Sequence, residues 1–214
     1  NGSLGAANWD AGAVHILFMN EGGSVKSTAK IDDSTARGPQ LATEDRFGDS
    51  VVNIGDLNGD GIDDLAVGAP NDDTKSDGSF GGQNWDAGAV YILFLNRDGT
   101  LARDTVVIDS EIMKDANDGE NVLTTEDAFG MGVANIGDLD GNGYDDLAVG
   151  AMKDHTHNRG AVHILFMDEN GDLAKVELID GSTTNGPTLG NGYWFGGSVA
   201  NIGDFDGNGV NDLA

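Results

Sequence analysis

The sequence predicts an all-β chain of four-stranded antiparallel units, set like the blades of a β-propeller. Three observations carry that expectation. An acidic ten-residue segment recurs three times, at 55–64, 137–146 and 203–212. Short apolar segments flank it each time in one fixed order. The composition, 38% hydrophobic with 34 glycines and 3 prolines in 214 residues, suits many short strands joined by tight turns.

Counted from its first Asp, each acidic segment places oxygen-bearing side chains at positions 1, 3, 5 and 9 and Gly at position 6. A hard cation takes six to eight oxygen ligands, and a short loop supplies them by turning alternate side chains inward around a sharp Gly turn. The expected ligands are Asp56, Asn58, Asp60 and Asp64, with the Ile62 carbonyl at position 7. In the second copy they are Asp138, Asp140, Asn142 and Asp146, with the Tyr144 carbonyl; in the third, Asp204, Asp206, Asn208 and Asp212, with the Val210 carbonyl. Each set holds three carboxylates and one amide. Without a cation such a set repels itself.

The pattern D-x-[DN]-x-[DN]-G matches the first half of an EF-hand loop, but position 12 is Val67 or Val149, and the third copy stops before it. With the bidentate Glu missing, the carboxylate at position 9 must close the site. The flanks, Val51-Val52-Asn53-Ile54 and Leu65-Ala66-Val67, are strand-like rather than helical. Asn-Gly and Asp-Gly also make metal-free hairpin turns. Three copies with matched ligand positions favour three Ca²⁺ loops, each joining two strands.

The strands follow in order. A first segment begins at Phe47-Gly48, Phe129-Gly130 and Phe195-Gly196 and runs into Asn-Ile-Gly-Asp. A second is Asp64-Leu65-Ala66-Val67-Gly68-Ala69-Pro70, matched at 146–152 and begun again at 212–214. A third is Gly88-Ala89-Val90-Tyr91-Ile92-Leu93-Phe94, matched at 12–18 and 160–166. A weaker fourth follows at 25–31, 105–108 and 173–179. The interval from Phe47 to Phe129 exceeds that from Phe129 to Phe195, a difference that surface loops absorb. The segments 32–46, 109–128 and 180–194 read as loops.

With Phe-Gly, an acidic loop and Gly-Ala-Pro in succession, the chain resembles the FG-GAP repeat, which builds the N-terminal propeller of integrin α subunits and of many bacterial and algal surface proteins. The resemblance covers nearly the whole chain, with Met152 in place of Pro in the second copy. It implies blades around a central axis, with Ca²⁺ loops between the first two strands of each blade. The expected units are the outer half of a blade at 1–31, complete blades at 47–108 and 129–179, and the inner half of a blade at 195–214. Half blades expose unpaired strand edges. Three blades are too few to close a ring. The expectation is therefore completion by another copy, as a ring or a head-to-tail filament, or by further repeats of a longer chain.

The formal charge of −26 disfavours nucleic acid and anionic membranes as partners. No cysteine, no leader-like segment and no run of 18 apolar residues is present. Ca²⁺ loops favour an extracellular or cell-surface setting, where millimolar Ca²⁺ fills weak sites. The reading is a non-enzymatic adhesion or assembly module that meets a protein or glycan through its loops, with a lectin or glycan-active enzyme as the alternative. No nucleophile motif appears. His15 and His163 take the strand position of Tyr91, which reads as packing or surface, and His155-Thr156-His157 reads as a solvated loop. Trp9 and Trp85 stack on a sugar or lid a blade edge. Trp194 is expected in the core at a strand start. Asn1-Gly2-Ser3 is a lone sequon.

Overall fold

The computed structural model describes residues 10–73, 86–117, 119, 122–154 and 159–214. Trp9, Trp85, His155, His157 and the sequon at 1–3 lie outside these residues. Twelve strands and one short helix make up the described chain: β1 (Val14–Met19), β2 (Val25–Ile31), β3 (Ser50–Asn53), β4 (Leu65–Ala69), β5 (Ala89–Leu93), β6 (Val106–Ile108), α1 (Ser110–Ala116), β7 (Phe129–Gly137), β8 (Asp146–Ala151), β9 (Ala161–Met167), β10 (Leu173–Ile179), β11 (Asn201–Gly203) and β12 (Asp212–Leu213). They form four antiparallel sheets: β1-β2, β3-β4-β5-β6, β7-β8-β9-β10 and β11-β12. Within each sheet the strands pair in sequence order, in keeping with the all-β reading. No helix among the described residues is long and apolar enough to cross a membrane.

A strand covered on one face alternates apolar and polar residues. β5 and β8 instead read Ala-Val-Tyr-Ile-Leu and Asp-Leu-Ala-Val-Gly-Ala, and every residue in them is buried. Both faces of these middle strands are covered because each four-stranded sheet lies between two others. Successive residues of β4 show it. Val67 packs with Val14, Ile31, Tyr91 and Leu93 toward the β1-β2 sheet. Ala66 packs with Val90, Ile92, Val149, Leu165 and Met167 toward the β7–β10 sheet. A third cluster joins Ala148, Val162 and Ile164 to Phe195, Val199 and Leu213.

Backbone, not side chain, sets the spacing where sheets meet. A Cβ added to Gly68 would lie 1.9 Å from the Gly130 carbonyl oxygen, and one added to Gly150 would lie 1.7 Å from that of Gly196. The glycine one residue before the end of one sheet's second strand thus touches the glycine of the next sheet's Phe-Gly. Beside these contacts Gly12, Gly88 and Gly160 form isolated parallel bridges to Phe47, Phe129 and Phe195.

Two expectations need correction. The segment 109–128 is not all loop, because α1 occupies Ser110–Ala116. Asp109 caps it, accepting from the backbone N–H groups of Glu111 (2.9 Å) and Ile112 (3.0 Å). Met113 anchors it, fully buried in the cluster between the two four-stranded sheets. Trp194 is not core: it is 57% exposed. Its φ of 52° is left-handed, as are those of Arg46 and Ala128 at the equivalent positions, where Arg46 is exposed and the small Ala128 is buried, so the position does not call for apolar bulk.

Gly68→Ala and Gly150→Ala should each lower stability by about 3 kcal/mol or more, since a methyl group meets backbone that cannot yield. Gly22→Ala, at φ 91° in open space, should cost about 1 kcal/mol from backbone strain alone. Urea unfolding of the three variants reads the difference.

Candidate metal centres

Each acidic segment is the hairpin between the first two strands of a sheet: β3–β4, β7–β8 and β11–β12. The loops fold by having their side chains accept their own backbone donors. At position 1, Asp56 accepts from the N–H groups of Asp60 (2.9 Å) and Gly61 (2.7 Å). Asp138 does the same for Asn142 (3.0 Å) and Gly143 (2.8 Å), and Asp204 for Asn208 and Gly209 (both 2.9 Å). At position 3, Asn58, Asp140 and Asp206 each accept from the position-5 N–H at 3.0 Å. At position 5, Asp60, Asn142 and Asn208 accept from the N–H groups of Ile62, Tyr144 and Val210, the position-7 residues whose carbonyls were expected to face a cation. Each loop is thus folded around its own side-chain oxygens, which take up its backbone donors.

Position 9 differs from the rest. Asp64 and Asp146 are fully buried. One oxygen of Asp64 accepts from Leu57 N–H within the loop (3.1 Å), and the other from Leu95 N–H just beyond β5 (3.0 Å). Asp146 repeats this with Leu139 (2.8 Å) and with Met167 of β9 (3.0 Å). In the third loop Asp212 accepts from Phe205 N–H at 2.7 Å. Burial pushes the Asp64 carboxyl up to about 6, with Asp60 and Asp56 adding to the rise against the two N–H donors. Asp146 is raised for the same first reason, with Asp140 adding. A nearby cation would oppose both effects.

The carboxylates of Asp138, Asp140 and Asp146 gather to within 4.8 Å of one another, as do those of Asp204, Asp206 and Asp212. Three hard oxygen anions gathered in this way have the chemistry of a divalent-cation site. Asp56, Asp60 and Asp64 do not form such a group among the described residues. The first loop exchanges Asn and Asp between positions 3 and 5, so its third carboxylate is at position 5, turned to the Ile62 N–H.

Sequence reasoning missed two features here. One is the second bond of position 9, which in the first two loops staples the loop to the third strand of its sheet or the residues just beyond it. The other is an asparagine ladder. Asn53, Asn135 and Asn201 each accept from the N–H two residues on, opening their loops. Asn135 Nδ2 also donates to the Asn53 carbonyl (3.1 Å), and Asn201 Nδ2 to the Asn135 carbonyl (2.9 Å). The repeated Asn-Ile-Gly-Asp carried the signal, but not the crossing from sheet to sheet. Of the histidines, His15 is exposed, whereas His163 is fully buried against Asp154 (3.2 Å) and the edge of Phe129.

The sequence model of the FG-GAP repeat matches residues 47–93 and 129–165. Integrin alpha-PS2 of Drosophila melanogaster is 34% identical over 170 residues, which is 78% of this chain and 11% of that protein. Integrin alpha-PS5 of the same fly is 35% identical over 144 residues, 67% of this chain and 12% of the relative. Integrin alpha-3 of Cricetulus griseus is 31% identical over 203 residues, 94% and 16% respectively. The chain thus spans a small part of the length of these relatives.

Asp64→Ala should lower the melting temperature with or without chelator, because two buried N–H groups lose their acceptor at about 2–4 kcal/mol together. Asp60→Ala, at an exposed residue, should lower it only in Ca²⁺ buffer. Thermal melts of both variants, with and without chelator, separate the two roles.

Proposed function

The chain carries FG-GAP repeats, and from that premise we propose that it is a calcium-binding, non-enzymatic adhesion and assembly module of the extracellular surface. The observation that carries the reading is the recurrence of one loop, with side-chain oxygens at the same four positions, on the inner hairpin of three successive sheets. Three Ca²⁺ ions would be held by the sets led by Asp56, Asp138 and Asp204. Four side chains and the position-7 carbonyl supply five ligands, and water completes the shell. The ions act structurally. They neutralise carboxylates that otherwise repel, and they brace hairpins of which the first two are already stapled to the third strand. At millimolar Ca²⁺ and a dissociation constant near 10⁻⁴ M, each site contributes about 1.4 kcal/mol.

The assembly part of the proposal rests on two open edges. β12 offers its outer edge, and β1 the edge away from β2. Carried over by repeat position, the register that joins β8 to β9, Leu147 opposite Leu165, would set Leu213 opposite Leu17. Asp212 would then accept from Met19 N–H as Asp146 does from Met167. Leu17 and Met19, half exposed here, occupy the positions at which Leu165 and Met167 are buried. The strand that seats there comes from another copy, in a ring or a filament, or from further repeats of a longer chain.

Tyr193 and Trp194, adjacent and exposed, favour a second reading, a lectin whose aromatic faces stack on sugar rings. A glycan array and a turnover assay on polysaccharides distinguish adhesion to protein from glycan binding or cleavage.

Chelation should lower the melting temperature, by an amount matching about 4 kcal/mol if all three sites fill at millimolar Ca²⁺; equal melts with and without chelator would remove the metal assignment. Light scattering should find particles heavier than one chain, or a parent protein with more repeats. A stable isolated monomer would contradict assembly.

A further inference from the structure

We propose that Asp45 is a proton-binding site in the seam between the β1-β2 sheet and the β3–β6 sheet, held there as the neutral acid and loosening the seam when it ionises. Asp45 is 1% exposed, two residues before the buried Phe47. Its Oδ2 accepts from Ala42 N–H, but its Oδ1 has no hydrogen-bond partner. The next seam holds the same Asp with a full set of donors. There Asp127 accepts from Thr124 N–H, and the Thr124 hydroxyl reaches both carboxyl oxygens at 3.1 Å. Ala42 stands where Thr124 would, so a single missing hydroxyl leaves Asp45 one donor short. A buried carboxylate oxygen without a donor favours the protonated form.

The surroundings reinforce this. Asp72 and Asp73 follow β4, Asp86 precedes β5, and all three act on Asp45 with the same sign. Tyr91 of β5 gives its hydroxyl to Asp72, and burial, then Asp72, raises that phenol further, so it remains neutral and offers no positive charge. Arg46, the adjoining residue, is paired with Asp49. Burial first, then Asp72, pushes the Asp45 carboxyl up to about 7. In the unfolded chain the same group ionises near 3.8. The stability it contributes is therefore complete below about pH 4 and is lost as pH rises through about 7. Acid tightens this seam, and ionisation releases the proton to water.

The test titrates the carboxyl carbon of Asp45 by NMR in the wild-type chain and in Ala42→Thr, at saturating Ca²⁺. Urea unfolding at pH 5 and pH 8 of both, and of Asp45→Asn, accompanies it. The expected midpoint is near 7 in the wild type and clearly lower in Ala42→Thr. The folding constant of the wild type should fall about 10²-fold more between the two pH values than that of Asp45→Asn. Should Asp45→Asn not fold, Ala42→Thr still decides. A wild-type midpoint below 5, a midpoint unmoved by Ala42→Thr, or one that moves when K⁺ replaces Na⁺ at constant ionic strength, overturns the proposal.

Discussion

Everything in this molecule depends on how closely the backbone of one sheet approaches that of the next. At Gly68 and Gly130, and again at Gly150 and Gly196, there is no room for a side chain. Sheets with ordinary side chains between them pack about 10 Å apart. Here that spacing collapses at one end of each sheet and opens toward the other, where Ile92, Phe94, Leu165 and Met167 fill the gap. A wedge results, and repeated wedges turn the sheets about a common axis. The two glycines of the repeat's name are thus one contact seen from both sides.

Packing on both faces follows from the wedge. No sheet here buries its apolar residues alone, because residues of one strand serve two clusters in alternation. The acidic loops lie at the ends of these hairpins, where carboxylates remain hydrated and can be drawn together around an ion. Only position 9 is carried inside, and there Asp64 and Asp146 each satisfy two backbone donors. Burial of those two carboxylates is tolerable because both oxygens are used. Asp45, with one oxygen left over, shows the contrary case.

Much of this architecture was legible in the sequence. Strand order, the position of the acidic loops within each sheet and the matched side chains in them all follow from three copies laid side by side. What stayed hidden are features that need a neighbour. The asparagine ladder crosses from one sheet to another, and no spacing within a repeat reveals it. Asp109 and Met113 could have signalled α1, a capping residue followed by an apolar residue one turn in, but the surrounding polar residues masked a helix of only seven residues. Trp194 misled because apolar bulk next to Phe195 suggests a core, whereas the same position of the repeat holds the exposed Arg46 in one copy and the small Ala128 in another, and so does not call for apolar bulk. Among the candidate site residues, the first loop's exchange of Asn and Asp was visible, but its effect on how the carboxylates gather was not.

The asparagine ladder has a direction. Each amide gives its hydrogen to the carbonyl of the repeat before it, Asn201 to Asn135 and Asn135 to Asn53. A tract that grows by copying one unit therefore inserts a giver and a receiver together and leaves the tally at every internal step unchanged. Duplication can lengthen such a protein without any residue being reinvented at the joints, and only the first and last members must find other company.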